Sequence, residues 1–378
     1  MLAGVALIAT CYGFARFAYG LFAGRFAEEF ALSASLTGLI ASGGYVGYCV
    51  AIGLSTALTS RWGPRVIAVA AGATATLGIT LVAVASSSTT LAVGVLVAGS
   101  STGIASPPLA AAIASWVRDD VRDTAQTVVN AGTGIGVLLS GPVALVLLDE
   151  WRLAWGLFAV ITAGVTVWVG LAVPAGRTGT SSSEGKNSVW TTGAGPLIVG
   201  SLALGLASAA VWTFGQQIST ASRVGWLPPV LWMVIGAAGI AGALSGPVVE
   251  RLGVRRSWTL LMMIMAAWVA GLAVGAAVPV LALVAALFGA AYIALSGVLL
   301  VWATRTYGSM PALGVGLSFF AIAAGQALGA PLVGAGSDAF GLPVVFYVSA
   351  LVAVVAAWLV RADPGRPAPA RGSAPTAV

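Results

Sequence analysis

Twelve apolar stretches, each long enough to cross a bilayer as a helix, follow one another along this chain of 378 residues. A membrane-spanning helix needs about 20 predominantly apolar residues. The stretches cover residues 2–24, 36–58, 66–86, 91–115, 124–148, 153–173, 194–216, 227–249, 257–277, 279–303, 312–335 and 342–361. Charged residues make up only 7% of the chain, whereas soluble domains carry about 25%. The sequence therefore predicts an all-α polytopic membrane protein with about twelve transmembrane helices.

The distribution of basic residues predicts the orientation of these helices. If the N-terminus is cytoplasmic, most of the 17 Lys and Arg residues fall in cytoplasmic loops, and only Arg25, Arg152 and Arg223 fall in outer loops. Cytoplasmic loops of membrane proteins carry such an excess. We therefore predict a multi-pass protein of the cytoplasmic (plasma) membrane with both termini in the cytoplasm. The net charge of +6 is attributed to this topology and to anionic lipid, not to nucleic-acid binding.

Landmarks recur along the chain at a nearly constant separation, which indicates an internal duplication. Residues 61–65 (RWGPR) match residues 251–255 (RLGVR), and Asp149 matches Asp338. Parallel repeats with the substrate site between them are a known plan for transporters. We predict an N-terminal six-helix half at 1–173 and a C-terminal half at 194–361. A Gly/Ser/Thr-rich cytoplasmic linker at 174–193 joins them, and a Pro/Ala-rich disordered tail covers 362–378.

The loop between the second and third spans, and its copy between the eighth and ninth, resemble the signature loop of the major facilitator superfamily. The second copy carries Gly246, Glu250, Arg251, Gly253 and Arg255. In the first copy Thr56 and Ser60 replace the glycine and the acid. The residues that this copy retains are Arg61, Gly63 and Arg65. The resemblance covers all twelve spans and implies a carrier with two pseudo-symmetric halves, working as a monomer.

The resemblance also implies that these loops hold the cytoplasmic side closed. We expect Glu250 to approach the start of the fifth span near Thr124, with Arg305 as its neighbour. Anchoring of the loops at the membrane surface is the alternative. In the fifth span, Gly141 and Pro142 resemble a glycine-proline signature associated mostly with exporters, and close helix packing is the alternative.

Arg16 is the only charge well inside a span, and such a residue is by default a candidate for function. Tyr12 and Tyr19 fall on the same helix face, and the surrounding segment, residues 13–20, resembles the YbfB/YjiJ-type branch of the superfamily. Snorkelling to the membrane surface is the alternative. The matching position in the seventh span is Ser208, so the charge is not duplicated.

Further substrate-binding candidates are polar or aromatic residues in other spans, for which packing or lipid contact is the alternative. In the superfamily, spans one, four, seven and ten line the cavity. The predicted set is Tyr45, Asn130, Trp212, Gln216, Tyr292 and Phe320, and the wider pool also contains Tyr48, Gln126, Phe319 and Gln326.

A fixed guanidinium in a low-dielectric cavity favours an anion, which it can bind bidentately. The leading hypothesis is a secondary active transporter that moves a small organic, carboxylate-bearing solute by alternating access. Export of amphiphilic drug-like compounds is the alternative, and a non-transporting membrane sensor is a distant one. An enzyme is not expected, because the chain has no His and no paired intramembrane acids. Cofactors and metals are likewise not expected. The sequence leaves substrate, direction and coupling ion open.

Overall fold

The computed structural model describes residues 1–176, 191, 193–220, 225–243, 246–274, 277–308 and 310–358, without the side chains of 119, 123, 220, 243, 246–250, 311 and 312. Its helices are α1 Leu2–Glu29, α2 Ala34–Trp62, α3 Pro64–Ala83, α4 Ser88–Trp116, α5 Thr124–Leu147, α6 Trp151–Ala172, α7 Ala194–Thr220, α8 Leu227–Ala243, α9 Gly246–Val274, α10 Val278–Thr306, α11 Pro311–Phe340 and α12 Leu342–Ala357. Ten are long and apolar enough to cross a membrane, and α8 and α12 are apolar but shorter. The predicted all-α fold of about twelve membrane helices is confirmed.

The outer surface of the bundle is apolar. Large aliphatic side chains point outward along the helices, including Leu39, Val146, Val160 and Leu171, which is 77% exposed. Soluble proteins rarely expose apolar side chains over so much of their surface. This exterior is suited to the hydrocarbon of a bilayer.

Two glycines give the matching loops the same backbone conformation. Gly63, between α2 and α3, has φ 84° and ψ 158°, and Gly253 has φ 79° and ψ 162°. A positive φ of this size favours glycine because it has no Cβ. The N–H of Gly63 donates to the carbonyl of Thr59, and Pro64 then begins α3. The conformational match supports the predicted duplication.

The turn at Gly253 lies within the helix Gly246–Val274, whose backbone leaves helical geometry at this residue. As at Gly63 in the first copy, the turn separates the end of one helix from the start of the next. The part of α9 that follows Gly253 therefore begins within a few residues of the start predicted at 257. The half boundaries stay a prediction, since most of the linker at 174–193 and the tail at 362–378 lie outside the described residues.

The bundle has two faces that we name for the site description. The arginine-rich face carries the turns at Gly63 and Gly253 and the connection at 117–121. The opposite face carries the connections at 30–33 and 148–150. Because consecutive helices run in opposite directions, each helix joins one face to the other.

Glycines bring the two sets of six helices together towards the opposite face. A Cβ at Gly20 of α1 would overlap the carbonyl oxygen of Trp212 in α7, and one at Gly38 of α2 would overlap that of Ala330 in α11. Small residues allow this close approach of membrane helices. The opposite side of the central interface is therefore closed.

Candidate functional site

The middle of α1 is a π-helix, and it carries the intramembrane charge. The π-helical segment is Ala9–Phe17, and the N–H of Ala18 still bonds to the carbonyl of Gly13. The backbone of Gly13 packs directly against that of Gly136 in α5. Segments of π-helix are rare and occur frequently at functional sites. Sequence reasoning missed this segment, because its apolar pattern is compatible with an ordinary α-helix.

The guanidinium of Arg16 lies inside the bundle among aromatic rings. Its Cζ is 4.8 Å from the ring centre of Tyr48, 4.9 Å from that of Tyr45, 5.3 Å from that of Phe17 and 5.7 Å from that of Tyr12. Ring faces attract a cation, the more so when it is desolvated. The structure thus places the candidate Tyr45 beside the charge, and the nearest ring is that of Tyr48, which belongs only to the wider pool.

Arg16 has no acidic partner among the described residues. Arg25, Arg118 and Arg152, in contrast, each form an ion pair with a carboxylate. Nη2 of Arg16 donates to Oε1 of Gln326 at 2.5 Å, and its Nε is buried without a hydrogen-bond partner. The cation is therefore held by a neutral amide and by ring faces, and its charge is not compensated.

Gln326 joins Arg16 to two residues of the second set of helices. Its Nε2 donates to the Tyr292 hydroxyl at 3.3 Å and to Ser208 Oγ at 3.5 Å. Since guanidinium nitrogens only donate, the amide oxygen has to face Arg16 and the amide nitrogen has to face the hydroxyls. Ser208 is the position that matches Arg16 in the duplicated sequence, so the amide lies between two repeat-related positions.

Tyr19, Tyr45 and Trp212 line a small void together with Arg16. Its volume is about 10 Å³, the lower limit for a single water molecule. The Tyr19 hydroxyl donates to the carbonyl of Thr37 at 2.9 Å. The site is therefore compact in this conformation.

Aromatic contacts extend the site from α1 into α7 and α10. The Trp212 ring stacks on Phe17 with centroids 4.0 Å apart and meets Tyr292 edge-on at 5.1 Å. On the other side of Arg16, the Tyr12 hydroxyl shares a 3.0 Å hydrogen bond with Ser106 of α4. The predicted residues Tyr12, Trp212 and Tyr292 thus surround the charge.

Three predicted site residues lie elsewhere. Asn130 accepts a hydrogen bond from Gln126, and its neighbour Val129 packs beside Gly4, nearer the start of α1 than Arg16. Gln216 is buried at a second small void, between α7, α8 and α9. Phe320 is 43% exposed on α11. Their distance from Arg16 depends on how each helix is rotated about its axis and on how far it is shifted along the bundle. Positions in the sequence alone do not determine either.

Exposure indicates the side from which Arg16 can be reached. Tyr12 and Arg16 are partly exposed, whereas Tyr19 and Phe26, further along α1 towards the opposite face, are buried. The glycine contacts described above close that side. The partly exposed residues of the site therefore lie on the side of the arginine-rich face, away from these close helix contacts.

The predicted gating residues fall into three groups. Arg61, Arg251, Arg255 and Arg305 are exposed and Arg65 is partly exposed at the arginine-rich face. Gly246 and Glu250 are described only in their backbone, so the expected contact of Glu250 near Thr124 stays a prediction. Gly141 packs against Met233 and the Pro229 carbonyl of α8, next to Pro142.

An acid at the opposite face makes the type of contact expected of Glu250. The carboxylate of Asp338, near the end of α11, accepts from the N–H of Ala34 at 3.0 Å, the N–H of Ser35 at 2.9 Å and Ser35 Oγ at 2.5 Å. Ser33 Oγ accepts from the N–H of Leu36. Together they satisfy the first N–H groups of α2, where the helix dipole favours an anion. Asp338 thus fastens α11 to the start of α2.

A cysteine placed at Ala41 reports whether the opposite face is open. Ala41 is 6% exposed and lines the void at Arg16. In a background with Cys11→Ser and Cys49→Ser, the protein is placed in vesicles and a membrane-impermeant maleimide is added only on the side of the opposite face, so the rate at which Ala41→Cys reacts measures the population that is open to that face.

Asp338→Ala is expected to raise this labelling rate about fivefold, because losing a helix cap costs about 1 kcal/mol and here the cap joins the two sets of helices. Asp149→Ala is the matched control. Asp149 is the repeat-related acid and pairs with Arg25 within the first six helices, so its loss should leave the rate unchanged. Equal rates in Asp338→Ala and the parent would contradict a fastening role.

Known proteins resemble this chain in both sequence and structure. The nucleoside transporter NupG (D323A mutant) matches with a TM-score of 0.77 at 14% identity, over 94% of this chain and 97% of that one. A bacterial homologue of the human lysosomal transporter Spinster, inward-facing and unoccupied, matches with a TM-score of 0.71 at 14% identity, over 95% of each chain. Among curated protein sequences none matches significantly. Residues 5–312 match the Major Facilitator Superfamily, and the chain belongs to that family of membrane transporters.

Proposed function

We propose that this protein moves a small organic anion, most simply a carboxylate, across the membrane by alternating access at Arg16. The observation that carries the proposal is the uncompensated guanidinium at the central interface. Its one hydrogen bond goes to a neutral amide, and its Nε has no partner. A charge within the membrane is costly unless a partner balances it. A bound anion supplies that balance.

The surroundings of Arg16 also favour an anion that carries a planar or apolar group. A carboxylate can take two N–H groups of a guanidinium in parallel. The rings of Tyr45, Tyr48 and Trp212 offer faces and edges for the rest of the molecule. These features suit an aromatic or short aliphatic carboxylate.

Alternating access is supported by the close helix contacts on one side of the interface and the partly exposed site residues on the other. The two halves would rock about Arg16 and expose it to each face in turn. From the distribution of basic residues we assign the open, arginine-rich face to the cytoplasm, in a monomer of the plasma membrane. The solved Spinster homologue is likewise inward-facing. Membership of the YbfB/YjiJ-type branch is part of the same proposal and rests on residues 13–20.

Export of amphiphilic compounds is the second candidate function. The aromatic rings around Arg16 and the glycine-proline segment of α5 favour it. In the structure, however, Gly141 packs against Pro229 and Met233, which gives this segment a packing role between α5 and α8. A sensor that binds the solute without moving it is the distant third candidate.

Thermal unfolding of the purified protein with paired ligands tests the substrate class. Benzoate is compared with benzamide and succinate with succinamide, so that only the charge differs, and tetraphenylphosphonium and uridine represent lipophilic cations and nucleosides. A ligand at about 100 times its Kd stabilises the folded state by about 2.7 kcal/mol. We expect the carboxylates to raise the melting temperature and their amides to leave it unchanged. Stabilisation by the cation or by uridine alone would reject the anion proposal.

A further inference from the structure

The amide of Gln326 holds the position on Arg16 where an anion would bind. We infer that Gln326 is a specificity-determining residue: in the empty carrier its amide oxygen occupies Arg16, and a carboxylate has to displace it. The inference rests on the proposed function, because it takes the anion class from there. Gln326 itself is fully buried, and its amide has bonds at both ends.

The contact connects the two halves at the level of the charge. Arg16 belongs to α1, whereas Gln326 is on α11 and its other partners, Ser208 and Tyr292, are on α7 and α10. Displacement of the amide would therefore break a link between the halves at the moment the substrate binds. Substrate binding is in this way coupled to the interface between the two halves, which has to rearrange during transport.

The chemistry of the two competing acceptors favours the anion. An amide oxygen is neutral, whereas a carboxylate is charged and offers two oxygens to the guanidinium. Hydrogen bonds between two charged groups are about twice as strong as neutral ones. A neutral amide ligand would only replace one amide oxygen by another, so Gln326 discriminates against it.

The partners of Gln326 allow the displaced side-chain amide to flip, so that its oxygen and nitrogen exchange places. The hydroxyls of Ser208 and Tyr292 now accept from Nε2, but hydroxyls also donate. After a half-turn of the amide, they can donate to Oε1 while Nε2 faces the bound anion. Gln326 then donates to a carboxylate oxygen. A ligand without an acceptor at this position would leave the N–H groups of the amide unpaired.

Two substitutions at position 326 distinguish competition with the anion for Arg16 from simple loss of the hydrogen bond between Arg16 and Gln326. Gln326→Glu places a permanent carboxylate on Arg16 with almost unchanged shape, so we expect benzoate affinity, measured by calorimetry, to fall at least about 100-fold. Gln326→Leu removes the competitor and the second hydrogen bond together, so benzoate should still bind, within about tenfold of wild type. Benzamide should bind neither wild type nor Gln326→Glu, whereas Gln326→Leu, which has lost the competing amide oxygen, should bind benzamide measurably better than wild type does.

Gln217→Glu is the matched control for added charge. Gln217 lies beside Gly24, about two turns from Arg16 towards the opposite face, so this variant should bind benzoate like wild type. The melting temperature of ligand-free Gln326→Glu should equal or exceed that of wild type, because an ion pair replaces a neutral contact, and this shows that the variant folds.

The outcomes distinguish the two proposals. Benzoate binding to wild type and to Gln326→Leu but not to Gln326→Glu supports the inference. Equal binding to wild type and a folded Gln326→Glu overturns the inference and leaves the anion proposal standing. If benzoate and succinate bind neither wild type nor Gln326→Leu, where nothing competes, the anion proposal fails and the inference fails with it.

Discussion

Gly20→Ala is expected to prevent the carrier from closing its opposite face. The added Cβ would overlap the backbone carbonyl oxygen of Trp212, and a helix backbone cannot move aside as a flexible side chain can. Alanine is a better helix former than glycine by about 1 kcal/mol, so local helix stability would improve. Any loss of the closed state therefore comes from the contact between α1 and α7.

The maleimide reaction of Ala41→Cys measures this effect. Overpacking typically costs about 1–3 kcal/mol, so the labelling rate should rise about 5- to 150-fold. Gly53→Ala is the control, because a Cβ at Gly53 in α2 would meet nothing within 4 Å, and its rate should match the parent. A Gly20→Ala protein that labels as slowly as the Gly53→Ala protein would show that this contact does not set the closed state.

The fold can be predicted because a bilayer imposes length and polarity on each helix separately. Every span follows from about 20 apolar residues, without any knowledge of its neighbours. Arg16 is identified in the same way, since one charge stands out within an apolar stretch. The matching loops at Gly63 and Gly253 are visible because a turn with positive φ leaves a glycine in the sequence.

Contacts between distant helices cannot be predicted in this way. The bond from Arg16 to Gln326 joins residues 310 positions apart, and Gln326 differs in no local pattern from Gln216, which lies at another void. The sequence identifies Asp338 only as the counterpart of Asp149, although its partner is the start of α2. Such pairings depend on how two helices are rotated and offset, and apolar membrane helices carry little periodicity that reports it.

The π-helix of α1 is another feature that cannot be predicted from the sequence. Gly13 in this segment packs closely against Gly136, but glycines are frequent in membrane helices that pack closely without any π-helix. Arg16 lies near the end of the segment, among the rings of α2. The charge is thus predictable, but the four rings and the amide that hold it are not.

Arg16→Ala is expected to abolish carboxylate binding. Removing one partner of a buried, hydrogen-bonded charge pair costs about 2–5 kcal/mol, so the affinity for benzoate should fall at least about 30-fold in calorimetry. Arg16→Lys keeps the charge but offers a point charge instead of a planar fork. We expect it to retain part of the affinity, at a loss of about tenfold.

Arg25→Ala is the matched control, because Arg25 lies on the same helix and is paired with Glu28 and Asp149 at the opposite face. It should bind benzoate like wild type. If Arg16→Ala binds as well as Arg25→Ala does, Arg16 is a structural residue held by its aromatic neighbours. A benzoate affinity that falls from wild type to Arg16→Lys and further to Arg16→Ala would instead show that both the charge and the planar geometry of the guanidinium select the substrate. The uncompensated charge between the two halves would then be the feature that makes this site specific for anions.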